Sequence, residues 1–409
     1  MAVDASARGR LRVLDALRHR DFRLLFLGQA VSLIGDAAFV TALGWRTYDL
    51  AGAGRLGIVL VCQATALLAT LLLGGALADR LSRRRLLIAS DLARLAVLAA
   101  LAGLDASGHL TFALLAVGAT LVGLGDGLFY PAFGGMTPLL VDEASLPSAN
   151  ALIGVARWSS VLVGPVFAGF IYAPAGPATV WAVDACSFLV SAGFVYATRP
   201  RTIEAAAPEG TLREIVAGAR YVATVPWLWV TITLFGLVLM LQFAPQQVLL
   251  PKLVDVKFDR GIESFALLST LFGAGTVAGA VLYGQLQPRR KRGIVTYVVF
   301  ILNSLATAGI GLAPTFELAG TLCAVRGVCV GIGVAIWETT LMELVPDHLL
   351  SRVVSLDYFG SFGLMPVGLA MWAGLAGLAA PGTLLAIGAG ASALLLVPPL
   401  FRPWLREVD

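Results

Sequence analysis

Charged residues are scarce in this sequence. They make up 13% of its 409 residues, whereas a soluble protein of ordinary composition carries roughly a quarter. Histidine is also rare, and its three copies, His19, His109 and His348, lie in terminal or loop segments without a catalytic partner at a recognisable spacing. These shortages argue against a soluble enzyme.

Neither the cysteines nor any phosphate-binding motif indicates a cofactor. The four cysteines lie inside apolar runs without metal-ligand spacing, so we interpret them as small core residues. No Gly-Lys-Ser/Thr loop of the kind that cradles phosphate occurs, which argues against ATP-driven chemistry by this chain. We predict no metal and no cofactor.

The net charge of +4 lies largely in short loops and therefore indicates membrane topology rather than a nucleic-acid partner.

Apolar runs of near-uniform length recur along almost the whole chain, in which 58% of the residues are hydrophobic. Each run is long enough to cross a hydrocarbon core of about 30 Å as a helix. The pattern predicts an all-α, multi-pass protein embedded in the lipid bilayer. We place twelve transmembrane helices at residues 23–45, 56–78, 86–104, 111–132, 149–172, 177–198, 226–249, 263–286, 294–312, 317–338, 353–378 and 383–401.

Lysine and arginine are unequally divided between the loops on the two sides of the membrane. With the N-terminus inside, the cytoplasmic loops receive the basic clusters 80–85 and 289–292. Because basic residues are enriched in cytoplasmic loops, we expect both termini to lie in the cytoplasm. We expect the membrane to be the plasma membrane of the cell. The opposite side receives Arg46, Arg55, Lys252, Lys257 and Arg260.

The longest polar interruption separates two similar sets of six predicted spans. It contains an amphipathic stretch, 212–221, that is predicted to lie along the membrane surface. Gly75-Ala76 before one basic turn is similar to Gly279-Ala280 before another. Internal duplication is typical of transporters, and it places a substrate path between the halves. We therefore predict an N-terminal half, 1–198, a cytoplasmic linker, 199–225, and a C-terminal half, 226–409.

The turn between the second and third predicted spans combines a glycine, an Asp-Arg pair and further arginines. This pattern resembles the best-known motif of the major facilitator superfamily, although Leu81-Ser82 replaces the usual glycine. The resemblance extends over essentially the whole chain. It implies the major facilitator fold, in which two six-helix halves work by alternating access. The motif residues are Gly75, Asp79, Arg80, Arg83 and Arg84.

Other stretches resemble the drug, macrolide and siderophore exporters of this superfamily. The fifth span contains Gly164, Pro165 and Gly169, close to a Gly-Pro-rich motif that is associated with antiporters. Ala151 and Ser160 replace glycines of that motif, and both are small enough for close helix approach. The remaining exporter-like stretches are 22–29, 32–36, 91–94, 130–132 and 148–152.

The resemblance also implies that the basic turn works as a cytoplasmic latch. Asp79 would contact the turn arginines and the start of the eleventh span, near 352–357, in one conformation and release it in the other. A carboxylate is stabilised at a helix N-terminus, which gives this contact a physical basis. Tyr283 stands at the corresponding position of the second half, so the latch is one-sided. The alternative is a charge cluster that only sets topology.

Charged side chains inside the predicted spans are candidates for binding a proton or a charged substrate group, because a charge at that depth usually faces a cavity or a partner. Asp36 could instead stabilise helix packing. Asp126 and Arg157 lie at similar depths in consecutive antiparallel spans, which predicts a buried ion pair, either a proton-linked switch or a structural lock. The candidates are Asp36, Asp126, Arg157, Asp184 and Arg326.

The sequence also suggests partners for Arg326 and for a further pair of charged residues. Arg326 has no acid nearby in sequence, so it would meet either an acidic substrate or an acid on another helix. Asp91 and Arg94, one turn apart, favour a local ion pair near the cytoplasmic surface.

Weaker candidates for lining a substrate cavity are polar or aromatic residues within the spans. Each has an alternative role in helix–helix hydrogen bonding or lipid contact. These residues are Gln63, Gln242, Gln246, Asn303 and Trp337.

The sequence therefore favours a monomeric secondary active transporter that exports a small molecule by alternating access and proton antiport. A nutrient importer or facilitator with the same fold is the first alternative, and the Gly164-Pro165 motif argues against it. A membrane sensor or scaffold that transports nothing is the second alternative.

Overall fold

The computed structural model describes residues 12–201, 211–286, 291–406 and 408, without the side chains of residues 12, 13, 72, 75–80, 211–215, 217, 347, 348, 351 and 406. All regular secondary structure in these described ranges is helical. The α-helices are α1 (Arg20–Arg80), α2 (Arg83–Ala106), α3 (Phe112–Met136), α4 (Leu146–Ala197), α5 (Thr211–Thr224), α6 (Pro226–Val238), α7 (Ala244–Phe258), α8 (Ile262–Leu286), α9 (Arg292–Leu312), α10 (Phe316–Leu344), α11 (Asp347–Phe362), α12 (Met365–Leu375), α13 (Pro381–Leu396) and α14 (Pro403–Arg406).

Ten helical segments within the described ranges are long and apolar enough to span a membrane. Two of them, in α1 and α4, run for 52 and 55 residues, which is about 80 Å at 1.5 Å per residue. That length exceeds twice the hydrocarbon thickness, so each segment supplies enough helix for two crossings. The twelve predicted crossings fit these lengths.

Glycine divides both long helices. Gly52 has φ +82° and Gly176 has φ +76°, and each interrupts the helical dihedrals. Glycine adopts this left-handed region without the steric cost of a Cβ atom. We call the parts before and after each glycine the first and second arms. The predicted loops at these two positions are therefore reduced to single-residue breaks.

The seventh span is interrupted by a π-helical segment, Leu239–Phe243, between α6 and α7. A π segment holds one extra residue per turn and frees backbone groups for other partners. Here the Met240 carbonyl accepts a hydrogen bond of 3.0 Å from Trp372 Nε1 of α12. The eleventh predicted span is likewise divided, into α11 and α12.

The helices α1–α4 and α6–α13 form two groups that pack extensively within themselves and meet through α1 and α4. We call the end of the bundle near α5 the linker side and the opposite end the far side. Small residues allow the groups to approach: a methyl on Gly169 of α4 would lie 2.7 Å from Ala266 Cβ of α8. A methyl on Gly57 would likewise meet Ala373 of α12. Such contacts permit backbones to lie side by side.

Helix α5 contains the predicted amphipathic stretch 212–221. It packs against α11, where a Cβ on Gly218 would lie 2.9 Å from Arg352 Cβ. The linker helix is thus positioned beside the start of the eleventh span.

Candidate functional site

A buried guanidinium lies at the centre of the first group of helices. Arg94 of α2 is 2% exposed and donates to two carboxylates on different helices. Its Nη2 lies 2.6 Å from Asp91 Oδ1, and its Nη1 lies 2.9 Å from Asp126 Oδ1 of α3. Asp36 of the first arm of α1 is 4.0 Å from the same Nη1. One cation therefore ties three helices together.

The carboxylates differ in their access to solvent. The side chains of Asp36 and Asp126 are 35% and 15% exposed, whereas Asp91 is fully buried. Asp184, on the second arm of α4, is also fully buried, and its Oδ2 has no hydrogen-bond partner in the described part of the chain. Asp184 approaches Asp36 because the neighbouring Gly35 has no Cβ to obstruct its carboxylate. We call these four aspartates and Arg94 the acidic cluster.

A second set of polar residues holds the acidic cluster in place. Ser191 donates to Asp91 Oδ2 at 2.7 Å, and Gln29 donates to Ser191 at 2.8 Å. Ser187 donates to Asp184 Oδ1 at 3.0 Å. These donors partly offset the negative charge of the Asp91 and Asp184 carboxylates inside the bundle, where an unpaired charge is costly. The arrangement orients Asp91 and Asp184 and leaves Asp36 and Asp126 as the members open to solvent.

Aromatic rings cover the guanidinium. Arg94 Cζ lies 4.4 Å from the ring centre of Phe129 and 4.2 Å from that of Phe188. Ring faces attract a cation and also exclude water from it. The acidic cluster is thus buried on its Arg94 side and partly exposed at Asp36.

The structure corrects one predicted pairing and confirms another. Asp126 bonds to Arg94 rather than to Arg157, which is exposed and forms no salt bridge within the described ranges. The predicted Asp91–Arg94 ion pair is present, and it is buried inside the bundle. Depth along a helix can be counted in the sequence, whereas rotation about the helix axis, which decides the partner, cannot.

Arg326 occupies a different environment, in the second group of helices. It is 2% exposed on α10, and its Cζ lies 4.8 Å from the ring centre of Phe243 and 4.3 Å from that of Phe272. Its Nε has no hydrogen-bond partner among the residues that the structure describes. The structure therefore does not join Arg326 to the acidic cluster.

Two of the predicted cavity-lining residues, Gln242 and Trp337, form side-chain hydrogen bonds between helices. Gln242 is fully buried and donates to Thr307 Oγ1 at 2.8 Å, while Ser304 donates to Gln242 Oε1 at 2.8 Å. Asn303 of α9 is also fully buried, but its side-chain amide has no hydrogen-bond partner among the described residues. Trp337, 9% exposed, donates from Nε1 to Asp357 at 3.1 Å. These are the helix–helix hydrogen bonds of the alternative interpretation.

The other two polar candidates are more accessible. Gln63 and Gln246 are each half-buried, on the second arm of α1 and on α7 respectively. The Gln63 carbonyl lies against Gly123 of α3. Both remain candidates for contact with a ligand.

The basic turn is described only in part. Only the backbone of Gly75, Asp79 and Arg80 is described, so the latch stays a prediction. Arg83 Nη1 donates to the Gly135 carbonyl at the end of α3 at 2.5 Å, and Arg84 donates to the Tyr196 carbonyl at the end of α4. Cations at helix C-termini stabilise the unpaired carbonyls there. These two arginines thus fasten the linker-side ends of the first group.

The Gly-Pro-rich stretch of the fifth span lies between neighbouring helices. A methyl on Gly164 would meet Ala37 of α1, one residue after Asp36, and Gly169 contacts α8 of the second group. Pro165 is buried between them. The stretch therefore lies between the part of α1 that carries Asp36 and the second group of helices.

A polar and aromatic contact joins the two groups on the far side. Tyr48 donates its hydroxyl hydrogen to Asp255 Oδ2 at 2.5 Å. The rings of Trp45 and Phe265 lie 5.9 Å apart beside it. We call these four residues the far-side contact. They link the first arm of α1 to α7 and α8.

Sequence reasoning missed the central position of Arg94 and the supporting residues Gln29, Ser187 and Ser191. A periodic signal was present: Asp184, Ser187 and Ser191 recur at helical spacing, as do Gln29 and Asp36. Such spacing places polar groups on one face of a helix. A polar face within an apolar span indicates a partner inside the bundle.

Comparison with known proteins agrees with this architecture. The sequence profile described as Major Facilitator Superfamily matches residues 25–369. The multidrug efflux pump Tap of Mycolicibacterium fortuitum is 30% identical over 399 residues, covering 92% of this chain and 94% of that protein. The enterobactin exporter EntS of Citrobacter koseri is 26% identical over 376 residues, covering 89% and 87%.

A solved structure supports the fold alone. A mutant of the nucleoside transporter NupG superposes with a TM-score of 0.76 at 11% identity, covering 93% of this chain and 100% of that one. With a family profile matching most of its length, this chain belongs to the major facilitator superfamily, whose members are multi-pass membrane transporters of small molecules rather than enzymes.

Proposed function

We propose that this protein is a secondary active exporter that exchanges a small molecule for protons. Its similarity to two named exporters supports the outward direction. The observation that carries the coupling is the acidic cluster, in which three aspartates surround one arginine and a fourth lies beside them. A single guanidinium cannot neutralise this many carboxylates, so the site has room for a proton.

Protonation would change which helices Arg94 holds together. A neutral Asp126 would lose the charge that strengthens its 2.9 Å hydrogen bond to Arg94. Arg94 would keep Asp91, which lies on its own helix, and would turn toward Asp36. The tie between α2 and α3 would weaken while the tie between α2 and α1 strengthened. A proton thus acts as a ligand that favours one packing of these helices over another.

Movement of one half against the other would complete the cycle. We propose that residues 1–198 and 226–409 rock about the path between them, joined by the linker 199–225. The far-side contact closes one end of this path in the present arrangement. The distribution of basic loops supports a cytoplasmic linker side, with both termini in the cytoplasm of the cell whose plasma membrane holds the protein. A monomer is sufficient for this mechanism.

Flux in proteoliposomes tests the proposal. The purified chain is reconstituted with ethidium, fluorescein and Nile red as cationic, anionic and neutral probes, and their movement is followed under an imposed pH gradient. We expect one or more probes to move against its own gradient and to stop when a protonophore is added. Asp126→Asn should abolish this coupled movement. Asp142→Asn, which alters an exposed aspartate on the loop before α4, should not.

Four outcomes would contradict the proposal in different ways. Flux that persists without an ion gradient would exclude proton coupling, and wild-type flux in both Asp36→Asn and Asp126→Asn would remove the acidic cluster from the mechanism. Accumulation in the direction opposite to export would indicate an importer. Binding without any flux would indicate the sensor or scaffold alternative.

A further inference from the structure

Arg326 is a buried cation that has no charged partner among the residues that the structure describes. The acidic cluster contains more carboxylates than guanidinium groups, whereas no salt bridge in the described residues involves Arg326. A buried arginine inside a membrane protein normally faces an acid, a carbonyl or a water-filled cavity. Leaving it unpaired is costly. A structural role alone does not account for this charge.

The orientation of the guanidinium restricts what can bind to it. Its Cζ lies over two phenylalanine rings, 4.8 Å from the centre of Phe243 and 4.3 Å from that of Phe272. Contact of a cation with ring faces uses none of the hydrogen-bonding capacity of the N–H edge of a guanidinium. That edge includes Nε, which has no hydrogen-bond partner in the described chain. Two parallel N–H groups on one edge match a carboxylate.

The two phenylalanines beside Arg326 are less buried than the arginine itself. Phe243 and Phe272 are each half-buried, whereas Arg326 is 2% exposed. The residue after Phe272 is Gly273, where a methyl would lie 2.6 Å from the Val161 carbonyl oxygen of α4. The Arg326 site is therefore next to the contact between the two groups of helices, where a transported molecule would pass.

We infer that Arg326 binds a carboxylate, or a similar planar oxyanion, of an aromatic substrate, whose ring packs against Phe243 and Phe272. The inference rests on the proposed function only in assigning the bound anion to the transported molecule. On this inference, protons bind at the acidic cluster in the first group of helices, and the acidic end of the substrate binds at Arg326 in the second group. Separation of the two sites keeps the substrate anion away from the aspartates.

A binding measurement tests this without transport. Purified protein in lipid nanodiscs is titrated with 2-naphthoate and with 2-naphthamide, which share a ring system and differ in charge. Thermal stabilisation or tryptophan fluorescence reports the affinity. Because hydrogen bonds to a charged group contribute about 1.5–3 kcal/mol, naphthoate should bind the wild type about tenfold to a hundredfold more tightly than naphthamide.

Variants assign the preference to one residue. Arg326→Gln should bind both compounds equally, and Arg326→Lys, which keeps the charge but not the paired N–H edge, should retain only part of the preference. Arg55→Gln, which changes an exposed arginine on the second arm of α1, should bind as the wild type does. Removing an unpaired cation leaves no orphaned anion, so Arg326→Gln should fold.

Two results would overturn the inference. One is equal affinity of the wild type for naphthoate and naphthamide, and the other is an undiminished preference in Arg326→Gln. Since no gradient is used, loss of probe flux together with a retained Arg326-dependent preference would instead contradict the exporter proposal.

Discussion

The far-side contact permits a quantitative test of alternating access. Tyr48→Phe removes one hydroxyl and keeps the ring, so it deletes the 2.5 Å hydrogen bond to Asp255 without creating a cavity. Hydrogen bonds to charged groups contribute about 1.5–3 kcal/mol when well shielded. Asp255 is exposed, which lowers the contribution to about 1 kcal/mol. The ratio of closed to open far-side conformations should therefore fall about fivefold.

Distance measurements between two spin labels would report this ratio. The four native cysteines are replaced, and labels are attached at Ser107→Cys, after α2, and at Glu317→Cys, on α10. Both positions are exposed on the far side, one in each group of helices. Pulsed electron spectroscopy should show a larger population at long distance in Tyr48→Phe than in the parent protein.

A matched substitution controls for loss of a tyrosine hydroxyl in general. Tyr172 packs against the same hydrophobic cluster on the far side, and no hydrogen bond of its hydroxyl is seen among the described residues. Tyr172→Phe should leave the distance distribution unchanged. If Tyr48→Phe and Tyr172→Phe gave the same distribution as the parent, the far-side contact would not contribute to closure and the reasoning would be refuted.

Two further predictions concern the motifs of the first group. Gly164→Ala should lower the midpoint of thermal unfolding, since its methyl would collide with Ala37 and overpacking costs about 1–3 kcal/mol; Gly154→Ala, where the space is open, should not lower it. Equal unfolding midpoints for Gly164→Ala and the parent protein would show that α4 and α1 can move apart at this contact without loss of stability. Asp79→Asn should shift the balance between inward- and outward-facing states, measured by labels on the linker side. An unchanged balance with unchanged transport would leave the basic turn as a topology signal only.

The span positions were largely predictable because hydrophobic length is written directly in the sequence. Helix α8 begins at Ile262 and ends at Leu286 where residues 263–286 were predicted, and α9 covers Arg292–Leu312 against 294–312. Less predictable were the breaks at Gly52 and Gly176, because a single residue with positive φ gives no composition signal. The π segment was also missed, since it follows from tertiary contacts.

The candidate site was predictable in its residue types but not in its pairings. Asp36, Asp126 and Asp184 were identified because aspartate is rare inside a span, and the structure brings them together around Arg94. Arg157 was assigned to Asp126 because the two lie at similar depth, whereas the choice of partner depends on helix rotation and on a third helix. Polar residues such as Gln242 were ambiguous because a buried amide can bond to helices or to ligands with the same chemistry.

The π segment of the seventh span has a mechanical consequence. Phe243, at its end, forms one wall of the Arg326 site, and Met240, within it, is held by Trp372 of α12. Helix α12 in turn packs against the second arm of α1, through Ala373 and Gly57. A molecule that displaces the Phe243 ring would also disturb this π segment. The disturbance would reach the second arm of α1 through Met240 and α12, and the break at Gly52 joins that arm to the first arm, which carries Asp36. Occupancy of the Arg326 site in one half would thus be coupled to the proposed proton site in the other.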